Sequence, residues 1–348
     1  MKRVGIVGLG FMGMVHYLSY QKLQGVQVVA VCDTRPELLT GDWTSVRGNF
    51  GPPGQQMDLS GIATYASAEE LIADPQVDLV DITLPPFLHA EVALAALAAG
   101  KHVFTEKPMA MTVADCDRMV AAANRADRHL LVGHVLPFFP EYAWALQEIG
   151  SEKHGRLLGG SFKRVISDPD WLANYWSAES VGGPMLDLHV HDAHFIRLVL
   201  GMPTRVASCG SVRDGLPEDW HSVFEFAGSK CFAHATCGCI RQAGRPFLHG
   251  FEIRLERATL MFEFAVQKLE DGQDEAGYLC PPTILDESGQ ARRVILGDGD
   301  PMHAFEAELG HAVRVVSGDA SPGALACELA RDAIEICRLE SQNLLTNS

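Results

Sequence analysis

The sequence is poor in positive charge. It has 28 Lys and Arg residues against 44 Asp and Glu residues, a formal net charge of −16, and no basic run that would offset this balance. Nucleic-acid backbones and anionic membrane surfaces recruit clustered Lys and Arg, so we expect neither as a partner. The chain also lacks an apolar run long enough to span a bilayer and an N-terminal stretch typical of a signal peptide.

A disulfide or metal framework is also missing. The nine cysteines follow no regular spacing, which favours reduced thiols and therefore a cytoplasmic protein. Cys237 and Cys239 are the only close pair, and they alternate with small residues in a predicted strand. Because the second half of a Cys-x-x-Cys pattern is absent, we expect no metal at this position.

What the sequence does contain is a glycine pattern directly after a short apolar strand. Gly8, Gly10 and Gly13 have the spacing G-x-G-x-x-G, and a helical segment begins near Phe11 and Met12. In dinucleotide-binding folds these glycines permit a tight turn, a close approach of backbone to pyrophosphate, and close packing of helix on strand. The N–H groups at the start of the helix would then hold the pyrophosphate.

An acidic residue strengthens this interpretation over that of a simple glycine turn. Asp33 ends a second apolar run, Val26 to Cys32, and lies 20 residues after Gly13. An acidic side chain at this distance accepts hydrogen bonds from the adenosine ribose and repels a 2′-phosphate. We therefore expect NAD as the cofactor, with NADP as the alternative because Arg35 could partly neutralise Asp33.

The order of predicted elements indicates an α/β protein of two domains. Strands and helices alternate through residues 1–126, which predicts a Rossmann domain with a doubly wound parallel sheet. Strand-like runs dominate residues 127–348, which predicts an α+β domain with a largely antiparallel sheet for substrate binding and oligomerisation. The last helix, about residues 324–344, is a candidate for packing back on the first domain.

Lys107 is the first candidate for chemistry. It lies in Glu106-Lys107-Pro108 at the end of a predicted parallel strand, the side of the sheet where ligands bind. Since proline restricts the residue before it, the ammonium would have a fixed direction and could stabilise a developing alkoxide. A solvated loop lysine is the competing interpretation.

The second candidate group is the histidine-rich segment GGPMLDLHVHDAHFIRLVLG, residues 182–201. If the segment is α-helical from Asp187, steps of about 100° put Asp187, His191 and His194 on one face and His189 roughly opposite Asp187. His191 could act as general base, with Asp187 orienting it. A helix start packed against core and a metal site are the alternatives, and we favour neither.

Taken together, these motifs resemble the Gfo/Idh/MocA oxidoreductases, relatives of glucose-fructose oxidoreductase and inositol dehydrogenase. The resemblance implies that Lys107, Asp187 and His191 bind substrate and carry acid–base catalysis. It implies that the cofactor is contacted by the glycine loop, Asp33 and Arg35, by Glu106 and Lys107, and by Thr83, Pro85 and His89 of ITLPPFLH.

We therefore expect an NAD(P)-dependent dehydrogenase or reductase that transfers hydride at a hydroxyl or keto carbon of a sugar, cyclitol or related polyol. Two alternatives stay open: a non-catalytic nucleotide- or sugar-binding regulator, and an enzyme that keeps NAD bound and acts through a transient keto-sugar. Both the resemblance and an antiparallel sheet with one free face lead us to expect a homodimer or homotetramer.

Overall fold

The computed structural model describes residues 1–169, 172, 174–228, 231–297 and 299–347. The chain forms two compact units, and each is discontinuous in sequence. The first contains Met1–Phe139 and Asp300–Arg331, and the second contains Pro140–Gly299 and the residues from Asp332 onward. The division falls inside the last helix. None of the helices that the structure describes has the length and apolar character needed to cross a membrane.

The first unit is built on a six-stranded, entirely parallel sheet in the order β3-β2-β1-β4-β5-β6. Its strands are β1 (Lys2–Val7), β2 (Val26–Cys32), β3 (Ala63–Tyr65), β4 (Leu79–Ile82), β5 (His102–Glu106) and β6 (Leu130–Gly133). The order reverses between β1 and β4, which makes their carboxyl ends the switch point where doubly wound sheets bind ligands. The predicted Rossmann architecture is confirmed.

Helices cover both faces of this sheet. They are α1 (Phe11–Lys22), α2 (Pro36–Leu39), α3 (Ala68–Ala73), α4 (His89–Ala98), α5 (Val113–Ala126) and, far along the chain, α8 (Met302–Ser317). Leu309 and Val313 of α8 belong to the same apolar core as Tyr17 of α1 and Leu131 of β6. The sequence analysis did not predict α8. Most of the stability of such a helix comes from packing its apolar face on the rest of the unit, and the local sequence does not show that packing.

The second unit is built on an eight-stranded sheet in the order β14-β13-β12-β11-β7-β10-β9-β8. Its strands are β7 (Leu157–Ser167), β8 (Pro203–Arg213), β9 (Leu216–Phe226), β10 (Phe232–Ile240), β11 (Phe247–Leu255), β12 (Ala258–Lys268), β13 (Asp274–Asp286) and β14 (Ala291–Arg293). Only the pairing of β7 with β10 is parallel. This confirms the predicted, largely antiparallel sheet.

One face of this sheet is covered by α6 (Pro140–Gly150) and α7 (Val190–Leu200). The ring of Tyr142 on α6 packs edge-on against Phe251 and Phe262, and Phe195 on α7 packs against Phe162. The last helix, α9 (Cys327–Asn347), reaches three residues beyond the end that the sequence predicted. The other sheet face is more open, since side chains alternate between buried and exposed along β9.

Candidate functional site

The glycine loop between β1 and α1 shows two different reasons for having glycine. Gly8 has φ +99°, and a Cβ there would lie 2.9 Å from the carbonyl oxygen of Thr83. A Cβ on Gly13 would lie 2.0 Å from the carbonyl oxygen of Gly8, so close helix packing also requires glycine. A Cβ on Gly10, in contrast, would have no atom within 4 Å. The space beside Gly10 suits a ligand that needs to reach the backbone, as a pyrophosphate does.

The start of α1 has the properties of an anion-binding helix end. Gly10 is its N-cap and supplies no side-chain cap, and the first turn holds no acidic residue. The first N–H groups of a helix have no partner within the helix, and the helix dipole adds positive potential there. The side chains of Phe11 and Met12 pack against an apolar cluster. Their backbone N–H groups are therefore the polar groups that these two residues offer at the start of α1. The loop therefore fits the pyrophosphate of a dinucleotide.

Asp33, at the end of β2, is held in place by hydrogen bonds. It accepts from the Leu9 N–H at 2.7 Å and from the Arg35 side chain at 2.9 and 3.0 Å. Burial would raise the pKa of Asp33, but the hydrogen bonds from Arg35 and Leu9 outweigh it and lower that pKa. The carboxylate stays charged at neutral pH. Asp33 and Arg35 are thus one ion pair beside the glycine loop.

The ends of β4 and β5 bring further predicted residues to the same edge. Thr83 donates its hydroxyl to the carbonyl oxygen of Gly8 at 2.7 Å and so supports the loop from below. Pro85 precedes a short 3-10 helix, Pro86–Leu88. The ring nitrogens of His89 lie 2.8 Å from the carbonyl oxygen of Leu84 and 2.9 Å from that of Pro108. His89 is fully buried, which lowers its pKa, and it joins the two strand ends.

Lys107 follows β5 directly and is half-buried. Its backbone N–H donates to Glu106 Oε2 at 3.0 Å, while Glu106 Oε1 lies 3.1 Å from Nε2 of His16. Glu106 is itself buried. The Glu106 carboxylate is therefore engaged by protein groups on both oxygens, and it anchors the residue that carries the ammonium.

His16 is a residue that the sequence analysis missed. The sequence does contain a sign that such a residue is needed, because Asp81 lies in the otherwise apolar strand β4. In the structure Asp81 is fully buried. A buried carboxylate needs a charged or hydrogen-bonding partner. His16 on α1 supplies it, with Nδ1 at 2.9 Å from Asp81 Oδ2.

In the second unit, the segment around Asp187 is not α-helical at its start. Met185–His189 form a turn of π-helix, and α7 begins only at Val190. Steps of 100° per residue therefore do not apply between Asp187 and His191. The α-helical geometry from which we predicted a common face for Asp187, His191 and His194 is not the geometry of this segment. Asp187 and His191 are nevertheless both half-buried, as groups that meet a substrate need to be.

The two other histidines of this segment are fully buried. His189 Nε2 lies 2.7 Å from Glu340 Oε2, and its ring packs edge-on against Trp220. Burial would lower the pKa of His189, but the charge and hydrogen bond of Glu340 outweigh it and raise that pKa. The pairing of His189 with Glu340 was not predicted from the sequence. His194 is likewise part of the core.

Asp187 lies near an aromatic cavity of the second unit. Burial raises the pKa of Tyr175, and the charges of Asp187 and Cys239 raise it further. Tyr175 lines a cavity of about 450 Å³ together with Trp176, which donates its indole N–H to Asp168 at 3.0 Å. An aromatic and carboxylate lining suits a hydroxylated molecule.

In the part of the chain that the structure describes, no three or more His, Cys, Asp or Glu side chains are arranged to hold an ion. Cys237 and Cys239 are buried in β10, and burial raises the pKa of both thiols. They behave as packing residues of the sheet.

Residues 2–134 match the family described as "Oxidoreductase family, NAD-binding Rossmann fold", abbreviated GFO_IDH_MocA. This range ends close to the boundary of the first unit at Phe139. This part of the chain is therefore similar to the NAD-binding domain of the Gfo/Idh/MocA oxidoreductases. The resemblance inferred from the sequence motifs is confirmed, and so is the NAD-binding character of the fold.

Two curated relatives are similar to slightly more than half of this chain. A 1-carboxy-3-chloro-3,4-dihydroxycyclohexa-1,5-diene dehydrogenase of Comamonas testosteroni is 35% identical over 202 residues, 57% of this chain and 47% of the relative. A 1,5-anhydro-D-fructose reductase of Ensifer adhaerens is 31% identical over 202 residues, 58% of this chain and 57% of the relative. The matched part of the chain thus spans about half the length of these relatives.

Among solved structures, an oxidoreductase from Agrobacterium radiobacter in complex with NAD⁺, L-tartaric acid and magnesium superposes with a TM-score of 0.75. The match covers 100% of this chain and 97% of the other at 16% identity. At this identity the likeness concerns the fold. The fold likeness covers the residues of both units.

Proposed function

We propose that this protein is an NAD-dependent oxidoreductase that acts on a hydroxyl or keto carbon of a sugar, cyclitol or related polyol. The observation that carries the proposal is the carboxyl edge of the first sheet, where the open space beside Gly10 follows β1 and the anchored Lys107 follows β5 of the same parallel sheet. The names of the curated relatives, a dihydroxylated ring dehydrogenase and a sugar reductase, support this class of substrate.

The proposed chemistry assigns one task to each side chain. The bound nicotinamide would supply the hydride acceptor. Lys107 would donate a hydrogen bond to the substrate oxygen and stabilise the negative charge that grows as its proton leaves. His191 would accept that proton, and Asp187 would orient the imidazole or the substrate. In the direction of reduction the same histidine would return the proton.

The cofactor would be held by the backbone at the start of α1 and by Asp33. In this proposal Gly8, Gly10, Phe11, Met12 and Gly13 surround the pyrophosphate, and Asp33 accepts from the ribose. Thr83, Pro85, His89 and Glu106 support the strand ends on the nicotinamide side. Thr83 and His89 do so through the backbone carbonyls that they contact.

A panel of polyols and sugars, assayed for NADH formation, tests the proposed reaction. We expect turnover with at least one cyclic polyol or sugar and none with simple primary alcohols. If no member of the panel reacts, a heat-denatured supernatant is scanned for nicotinamide absorbance. Released nicotinamide would indicate an enzyme that retains its cofactor, and its absence together with ligand-induced stabilisation would contradict the enzyme proposal in favour of a regulator.

The first prediction concerns the choice of cofactor. Because Asp33 is charged and close to the glycine loop, NAD(H) should bind at least about tenfold more tightly than NADP(H), or about 1.4 kcal/mol. In the variant Asp33→Ser, Arg35 loses its partner and is free to meet a 2′-phosphate, so the preference should fall by about tenfold or more. Titration calorimetry with both cofactors measures this.

Glu37→Ser is the matched control, since Glu37 is an exposed acid close to Asp33 in sequence. It should leave both affinities unchanged, because it makes no hydrogen bond to the glycine loop. Equal affinities in the wild type, or a preference for the phosphorylated form, would show that Arg35 and not Asp33 determines the choice.

A second prediction concerns assembly through the open face of the second sheet. Val223 and Phe232 on this face are each 45% exposed, and Val223 stands directly opposite His234. A surface with apolar and polar residues interspersed suits a self-complementary contact between two copies. We expect light scattering to give the molar mass of a dimer or tetramer. The variant Val223→Glu should lower that mass toward the mass of the monomer.

Ile295→Glu is the control for this experiment, because Ile295 is exposed on a loop of the same unit. The molar mass of the Ile295→Glu variant in solution should equal that of the wild type. A wild-type monomer at micromolar concentration would defeat the assembly proposal.

A cytoplasmic location is also part of the proposal. No disulfide joins the cysteines that the structure describes, and six of the nine are buried where they pack as small apolar groups. Chains exported to oxidising compartments usually pair their cysteines, so the free thiols support a reducing environment. Fractionation of the source cells, followed by detection of the protein, tests it.

A further inference from the structure

A cluster of buried ionisable groups lies in the first unit below the strand ends. His16 on α1, Asp81 on β4 and Glu308 on α8 are 0% exposed, and Glu106 on β5 is 7% exposed. Four separate elements therefore contribute one ionisable side chain each. Burial of such groups costs free energy unless they are paired and hydrogen-bonded, so the arrangement calls for a reason.

Hydrogen bonding fixes the charge of the central histidine. His16 Nδ1 lies 2.9 and 3.1 Å from the two oxygens of Asp81, and Nε2 lies 3.1 Å from Glu106 Oε1. A carboxylate only accepts, so His16 donates from both nitrogens and is an imidazolium. Burial alone would lower its pKa, but the two carboxylates outweigh burial and raise the pKa of His16 to about 10. It is charged throughout the physiological range.

Glu308 completes the cluster as a neutral acid. Neither of its oxygens has a hydrogen-bond partner among the described residues, and burial together with the charge of Glu106 raises its pKa well above the usual range. Tyr20 of α1 is buried beside the group and its pKa is raised as well. The charged members are therefore His16, Asp81 and Glu106, with one positive and two negative charges.

Two members of this cluster, Glu106 and Asp81, lie next to residues at the carboxyl ends of β5 and β4. Glu106 Oε2 accepts the backbone N–H of Lys107 at 3.0 Å. Asp81 precedes Thr83 by two residues on β4, and Thr83 donates to the carbonyl oxygen of Gly8. The ring of His16 thus connects α1, whose first turn carries the glycine loop, to the two strand ends on which the proposed chemistry depends.

We propose that His16 is a positioning residue for Lys107: its bonds to Asp81 and Glu106 hold the end of β5 at a fixed place relative to β4 and α1. This inference rests on the proposed function in so far as Lys107 is assigned to the substrate oxygen. A buried ion pair contributes little net stability compared with apolar residues of similar size. Its effect here is on geometry, and misplacement of a catalytic group by about 1 Å can cost about 10²-fold in rate.

The test compares His16→Leu with two variants of Asp81. Asp81→Asn keeps an oxygen that accepts from His16 Nδ1, whereas Asp81→Leu removes it. We expect kcat to fall about 10²-fold in His16→Leu and strongly in Asp81→Leu, with KM for NAD changed by a few-fold at most. Asp81→Asn should stay within a few-fold of the wild type. Ser19→Ala is the control, since Ser19 is buried on α1 and bonds only to the carbonyl oxygen of Val15.

A second readout needs no turnover. The rate at which an amine-reactive reagent labels Lys107, followed by peptide mass spectrometry, reports on the placement of its ammonium. We expect this rate to change severalfold in His16→Leu and Asp81→Leu relative to Lys153, an exposed lysine used as internal reference. It should stay unchanged in Asp81→Asn and Ser19→Ala.

The outcomes separate this inference from the proposed function. Wild-type labelling of Lys107 in both leucine variants, or equal damage in Asp81→Asn and Asp81→Leu, would overturn the positioning role. If His16→Leu does not fold, the pair of Asp81 variants still decides it. Altered labelling in a protein that turns over no polyol would support the positioning role and contradict the proposed reaction.

Discussion

Replacing Lys107 or His191 by alanine should each lower kcat by about 10²–10⁴-fold while the affinity for NAD stays within a few-fold. Loss of an oxyanion donor or of a general base has effects of this size, and neither residue is assigned to the pyrophosphate or ribose. The double variant should be little worse than the single ones, because both groups are proposed to act on one substrate oxygen. Steady-state kinetics on the best polyol, with calorimetric titration of NAD, measures all three.

Lys153→Ala and His303→Ala are suitable controls, since both side chains are exposed. They should retain full activity. His189→Ala is not a control, because the structure shows that its imidazole is buried against Glu340. Additive losses in the double variant, or an unchanged kcat in either single variant, would refute the assignment of the two residues to one hydroxyl.

His189→Ala should destabilise the second unit by about 3–5 kcal/mol, because it leaves the buried Glu340 carboxyl group with Trp220 as its remaining side-chain donor among the described residues. Urea unfolding followed by tryptophan fluorescence measures the loss. The double variant His189→Leu/Glu340→Leu should recover most of it, since apolar residues replace the whole pair. His221→Ala, an exposed histidine of the same sheet, should change the unfolding free energy by less than about 0.5 kcal/mol.

The same pair gives stability a defined dependence on pH. The folded-state pKa of His189 is raised above its unfolded value of about 6.5, so the unfolded chain loses its proton first. The contribution of His189 is fully present below about pH 6.5 and is lost as pH rises through the folded pKa. The difference in unfolding free energy between wild type and His189→Ala should therefore shrink at alkaline pH. A difference that grows with pH would show that His189 is neutral in the folded protein.

The parallel sheet of the first unit could be predicted because its signals are local. Gly8 and Gly13 are required by contacts a few residues away in sequence or on the next strand, and Asp33 follows its strand at a characteristic distance. Lys107 was found in the same way, from its place directly after β5. Each of these residues follows a strand directly or at a characteristic spacing, which a sequence displays.

Other features could not be predicted because their causes lie far away in sequence. A π-helical turn, Met185–His189, precedes α7, and the Glu340 that pairs with His189 lies 151 residues later. The helical pattern alone predicted α-helical steps from Asp187 and gave no sign of the pair between His189 and Glu340. The role proposed for His16 likewise depends on its contacts with Asp81 and Glu106, which are 65 and 90 residues away in sequence.

The discontinuity of both units has a consequence for synthesis on the ribosome. The core of the first unit needs Leu309 and Val313 of α8, yet about 160 residues of the second unit, Pro140–Gly299, are translated before α8 emerges. At about 5–20 residues per second this takes roughly 10–30 s, during which the apolar surface that α8 covers stays exposed on the nascent chain. The second unit likewise awaits the residues after Asp332. Both units are thus completed by the same final stretch of translation, and we expect the nascent chain to depend on chaperones until release.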